Sequence, residues 1–224
     1  MRLAVWRPPK QTNYALRVIH DARMNLKNTT HLDSSTLKRM FLSAIDGWPF
    51  EGVQVSVRYS RGADFSGTCY YQSDRIYINL GRDNRYPYRL QTHIARPCSN
   101  RTHWWRELYT VDLADAYELV LFVFLHEFYH RLVHRARHNV RQKEARCDRF
   151  ATRVLVDDYG ATVLDEAGHL VARDAWDFQD LDGFVAAARR SARKPIRNRR
   201  PAEAKPKPPT VEAQEGQLRL FAGL

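Results

Sequence analysis

The sequence predicts an α+β fold in which a small antiparallel sheet packs on one long apolar helix, followed by a disordered C-terminal tail. Three observations carry this expectation. The hydrophobic period switches from helical to alternating within residues 34–80. Residues 112–139 then run without Pro or Gly around the apolar stretch Leu119–Leu125. Finally, residues 191–212 are rich in Pro and in positive charge and nearly empty of apolar side chains.

The elements follow in order. Asp33-Ser34-Ser35 opens a helix whose apolar positions are Leu37, Met40, Phe41, Ala44 and Ile45, closed by Gly47. Val53, Val55 and Val57 alternate with polar residues, as do Ile76, Ile78 and Leu80, across a turn-rich stretch containing Gly62, Gly67 and Asp74. The strand around Arg75–Asn79 is expected to offer a sheet edge to an extended substrate. Residues 81–109 lack a period and are rich in Arg, Tyr and Trp, so a long loop is expected there. Trp104 and Trp105 either stack on unpaired bases or pack the loop onto the core. A second helix is expected over 142–157, ending before Gly160, and a last one over 177–190. This divides the chain into a domain at 1–190, a basic linker at 191–212 and a terminal peptide at 213–224.

Charge is unevenly distributed. The 224 residues carry a formal net charge of +11. Residues 187–210 hold nine basic side chains against one acid, a net of +8, and residues 129–149 hold seven against two, a net of +5. The first cluster, with Arg189, Arg190, Arg193, Lys194, Arg197, Arg199 and Arg200, suits sequence-independent binding to DNA phosphates. Cys69, Cys98 and Cys147 are odd in number and unpaired in spacing, which argues for a reducing compartment. Residues 1–10 lack the apolar core of a signal peptide. The seven-residue run Leu119–Leu125 is far short of the roughly 20 residues that span a bilayer. A soluble, cytoplasmic protein without a membrane partner is expected.

The chemistry concentrates at Leu125-His126-Glu127-Phe128-Tyr129-His130, an H-E-x-x-H on the apolar helix. One turn apart on one face, His126 and His130 can share a Zn²⁺, and Glu127 can act on a water bound there. His134 and His138 continue the i,i+4 series. Each step climbs about 6 Å, too far for a third histidine of the same helix to reach the same ion, so these two are assigned to the helix end or to phosphate. On the second helix, Glu144 and Asp148 share a face. One can bind zinc and the other can accept the outer N–H of a ligating histidine.

H-E-x-x-H followed by the E-x-x-x-D-x-F-A of Glu144–Ala151 resembles the ImmA/IrrE and related small gluzincin metallopeptidases. The resemblance covers roughly residues 34–156 and implies a minimal zincin-like domain. It further implies His126, His130 and Glu144 as zinc ligands, Glu127 as general base and Asp148 as the carboxylate behind a ligand. Two departures stand out: thirteen residues separate His130 from Glu144, fewer than that family leads one to expect, and Cys147 occupies the place of a small Ala, where it can serve as a soft ligand.

Near the end of the chain, Gln217-Leu218-Arg219-Leu220-Phe221 resembles the Q-L-x-L-F peptide that docks bacterial polymerases and repair proteins on the sliding clamp. Gln217 is the polar anchor, with Leu218, Leu220 and Phe221 as knobs for a groove. A zinc protease with a basic segment and a clamp peptide is similar in layout to the SprT/Spartan-like proteases that clear proteins crosslinked to DNA. The expected activity is a zinc endopeptidase on DNA-associated proteins, in a bacterial or phage setting at the nucleoid. Two alternatives stand beside it: an ImmA/IrrE-like protease cleaving one repressor, and a non-catalytic DNA- and clamp-binding module with structural zinc.

Overall fold

The computed structural model describes residues 24–136 and 143–186. All of them belong to one contact unit, Met1–Arg193; the second unit, Lys194–Leu224, lies outside the described residues. The basic residues Arg189 to Arg200, the peptide Gln217–Phe221, and His138 therefore also lie outside them.

The fold is α+β. Helix α1 (Ser34–Ala44) starts where the sequence places it, with the Asp33 carboxylate accepting from the Thr36 N–H at 2.7 Å. Its apolar face buries Leu37 and Phe41 completely, and the Phe41 ring stacks on Phe124 of the long helix at 4.1 Å. Full burial of each such side chain contributes about 1.5–3 kcal/mol.

The first sheet is mixed, with order β1-β2-β4-β3 formed by Asn25–Asn28, Gln54–Tyr59, Arg75–Leu80 and Phe65–Tyr70. β1, β2 and β4 are parallel and only β3 is antiparallel, which corrects the expected antiparallel sheet. Alternation in Val53–Val57 and Ile76–Leu80 reports which face is buried and is silent on strand direction. Direction follows instead from the connections: α1 crosses over between β1 and β2, and β3 intervenes between β2 and β4. The strand expected at the edge, β4, is therefore interior; the edges are β1 and β3.

Residues 81–109, expected as a loop, contain β5 (Tyr88–Thr92), β6 (Pro97–Ser99) and β7 (Trp104–Arg106). β5 joins β8 (Tyr109–Leu113) and β9 (Thr162–Leu164) in an antiparallel sheet of order β5-β8-β9, and β6 and β7 make a separate hairpin. β5 does alternate, burying Leu90 and Thr92, but its outward Arg89 and Gln91 and the flanking arginines mask the pattern.

The long helix α2 (Ala116–Arg135) begins four residues later than expected, because 109–113 pair as β8 and Asp115 caps the helix through the Tyr117 and Glu118 N–H groups at 2.8 and 3.0 Å. It lies across the first sheet, on β3 and β4, where Ile76 and Ile78 are buried. Helix α3 (Lys143–Val154) packs along α2, continues through a π-helical turn at Leu155–Tyr159, and stops at Gly160 in the left-handed region, φ 76°. Within the last helix expected over 177–190, residues 181–186 are helical and 187–190 lie outside the described residues; a short α4 (Arg173–Trp176) precedes it. No helix among the described residues is long and apolar enough to cross a membrane.

Candidate metal centre

α2 and α3 bring the predicted side chains together. His126 and His130, one turn apart on α2, place their Nε2 atoms 3.0 Å from each other. Glu144, in the first turn of α3, sets Oε2 at 3.1 Å from His126 Nε2 and Oε1 at 3.5 Å from His130 Nε2. A tetrahedral ion with bonds of about 2.0–2.1 Å needs its ligand atoms about 3.3–3.4 Å apart. The three separations match one face of such a tetrahedron. Cys147, fully buried one turn beyond Glu144, brings its Sγ within 4.8 Å of a ring nitrogen of each histidine. The site therefore has two possible third ligands, a carboxylate on its open side and a thiol on its buried side.

Asp148 sits behind His126, with Oδ1 2.8 Å from His126 Nδ1 and Oδ2 accepting the His93 N–H at 2.8 Å. That contact fixes the ring so that Nε2 faces the site. Burial pushes the His126 pKa down, but the Asp148 and Glu144 carboxylates more than reverse this and lift it to about 9. The same pairing, opposed by burial, holds Glu144 down at about 2.

Glu127 is buried beneath β3. Burial raises its pKa above the ordinary carboxylate value, the His126 charge pulls it back, and Glu144 raises it further. The Cys69 amide on β3 lies close enough to its carboxylate to pull it back a little as well. The strand can come this close only because residue 67 is Gly: a Cβ there would stand 2.5 Å from Glu127 Oε1 and 2.7 Å from its Cγ.

Other contacts escaped the sequence reading. Arg131, adjacent to His130, is 1% exposed and binds Asp74 Oδ1 at 2.9 Å, the Pro49 carbonyl at 2.8 Å and the Glu51 carbonyl at 3.3 Å. It pins α2 to the β3–β4 turn. Arg149 is likewise buried, on the Ile94 and Ala95 carbonyls and Gln179 Oε1. Arg135 pairs with Asp74, and Arg146 lies over the Phe184 ring. Read as one cluster, the charge of 129–149 looked available to an anion; of its described arginines, two are interior pins and two have partners. His134, assigned to the helix end, stacks on Tyr71 at 4.1 Å with the rings nearly parallel. Gly67, placed by the sequence in a turn-rich stretch, lies instead inside strand β3, where its missing side chain permits the close approach to Glu127.

Comparison of the chain with models of known protein families, with curated proteins and with solved structures finds no match to any of them.

Proposed function

We propose that this chain is a zinc-dependent endopeptidase acting on DNA-associated proteins. The observation that carries the reading is the triangle of His126 Nε2, His130 Nε2 and a Glu144 carboxylate oxygen with edges of 3.0–3.5 Å, beside the buried carboxylate of Glu127. Zn²⁺ held by His126, His130 and Glu144 would supply a Lewis acid and lower the pKa of a bound water to about 7. Glu127, its carboxylate raised by burial and steered by the Cys69 amide, accepts a proton and delivers it to the leaving amine. Asp148 keeps His126 oriented through Nδ1. β3, the sheet edge beside Glu127, takes an extended substrate by strand addition, with Thr68 and Tyr70 on its exposed face. Placement on DNA is assigned to Arg189, Arg190, Arg193, Lys194, Arg197, Arg199 and Arg200, and clamp docking to Gln217, Leu218, Leu220 and Phe221, on sequence grounds alone.

The test is incubation of zinc-loaded protein with a DNA-bound protein substrate, with and without DNA, alongside Glu127→Gln. Cleavage that the variant lacks and DNA accelerates is expected; equal outcomes for the two forms overturn the enzyme reading. Clamp binding is checked with Leu220→Ala and Phe221→Ala, and undiminished affinity removes that part.

Cys147 favours one second reading, a structural zinc. If its thiolate binds together with His126, His130 and Glu144, four protein ligands close the tetrahedron and no position remains for water. Cys147→Ala separates the two: the peptidase retains one zinc per chain, whereas the structural site loses it along with thermal stability.

A further inference from the structure

The β6–β7 hairpin has no part in the metal centre. Its turn is rigid: the Asn100 N–H donates to the His103 carbonyl at 2.8 Å, and Asn100 Oδ1 accepts from the Thr102 and His103 N–H groups at 3.0 and 2.7 Å. Yet the hairpin presents Trp104 at 72% and Trp105 at 47% exposure, among the most exposed large apolar side chains described. As neighbours on one strand they face opposite sides. Two bulky indoles left in water on a two-stranded ribbon bury too little to be explained by folding.

The charge around them is one-signed. From Arg96 to Arg106 there are three arginines and no acid. Arg96 donates to the Asp174 backbone carbonyl at 3.1 Å and Arg106 to the His93 carbonyl at 2.9 Å, so both are held by neutral acceptors that leave their charge uncompensated. Arg149 rests on carbonyls in the same way, and its guanidinium and that of Arg96 both lie over the Phe178 ring, at 4.3 and 4.1 Å. Guanidiniums this close to one another raise a positive potential at the hairpin base. Glu107, the next residue, accepts from the Tyr109 hydroxyl at 2.6 Å and keeps its charge, so the arginines outnumber a single acid beyond the strand.

We propose that the β6–β7 hairpin is a stacking platform for single-stranded nucleic acid, with Trp104 and Trp105 taking unpaired bases and the arginines at its base taking the backbone. An acidic protein would satisfy the arginines but has no need of two exposed indole faces; unpaired bases need both. A duplex hides its base faces, so the platform discriminates by strandedness. The hairpin lies next to the metal centre in the bonding pattern, since the His93 carbonyl holds Arg106 while the His93 N–H holds Asp148. This goes beyond the peptidase reading and does not depend on it.

The test measures binding by the full-length, chelator-treated chain to short oligo(dT), to oligo(U) and to a duplex of equal length. Trp104→Ala with Trp105→Ala, which removes two stacks, is expected to weaken single-strand binding by about thirtyfold or more and to leave duplex binding unchanged. The paired Phe substitutions, which keep an aromatic face, are expected to restore most of it, and unchanged melting curves confirm folded variants. The two oligonucleotide arms distinguish DNA from RNA. Unchanged single-strand affinity in the Ala variant, an equal fall for duplex, or failure of the Phe variant to recover would overturn the proposal. So would tryptophan-dependent binding of poly-glutamate as tight as that of oligo(dT), which would assign the hairpin to an acidic protein.

Discussion

Gly67→Ala is the smallest change that should uncouple the edge strand from the site. The added Cβ would sit 2.5 Å from Glu127 Oε1, 2.7 Å from its Cγ and 2.8 Å from Val123 Cγ1. Carbon–carbon contacts are optimal at about 3.5–4.0 Å, so either β3 lifts or Glu127 and Val123 retreat by about 1 Å. Overpacking of this kind costs about 1–3 kcal/mol. At 2 kcal/mol a domain of this size loses about 4–8 °C in Tm. Breaking the Cys69–Glu127 contact displaces the base by a distance that can lower turnover about a hundredfold. The assay pairs thermal melting with cleavage in a double-mutant cycle with Glu127→Ala. That substitution removes two of the three clashing atoms, so the cost of Gly67→Ala should shrink by more than about 0.5 kcal/mol in its background. Strict additivity, or a Gly67→Ala protein that melts and cleaves like the parent, would refute the close approach.

Three further outcomes are expected. Asp74→Asn leaves the buried Arg131 guanidinium with carbonyls only and should cost about 3–5 kcal/mol, nearer the lower figure because Asp74 is partly exposed, as read by chemical denaturation. Burial raises the Asp74 carboxyl, but Arg131 and Arg135 bring it below its ordinary value, so its contribution is complete above about pH 4 and fades as pH falls through the lower folded pKa; the variant should lose that acid limb. His126, lifted to about 9, is protonated at pH 7 without metal, so zinc uptake should release about one proton from it and tighten as pH rises toward 9, measured by calorimetry in buffers of different ionisation enthalpy. Asp148→Asn should weaken zinc binding about 10–100-fold in a chelator competition while leaving His126, His130 and Glu144 in place.

What could be read from the sequence was what depends on local period and spacing. α1 announces itself through its Asp33 cap and 3.6-residue period and α2 only through an uninterrupted apolar run, its Asp115 cap having gone unread, while i,i+4 spacing places His126 with His130 and Glu144 with Asp148. That the two pairs meet across α2 and α3 does not follow from period or spacing, which say nothing of how the two helices pack. Strand direction was not legible, since Val55 and Ile76 look alike from either side of a parallel or antiparallel ladder. β5 to β7 were hidden by arginines that read as a solvated loop. The role of Arg131 was invisible for a different reason: a basic residue in a basic stretch looks exposed until the carbonyls of Pro49 and Glu51, some eighty positions earlier, are found beside it.

The Cys69 amide has one more consequence. A strand at the end of a sheet presents unpaired amides that recruit stray strands, and proteins commonly guard such edges with inward-pointing charge. Here the guard is Glu127 itself, anchored on the helix below and set close beneath the Cys69 amide that an intruding chain would need. Any extended chain that pairs at Cys69 must compete with the carboxylate for that amide. A guest strand that leaves Glu127 in place must therefore pair to either side of Cys69, so the carboxylate sets the register of the edge as well as closing it.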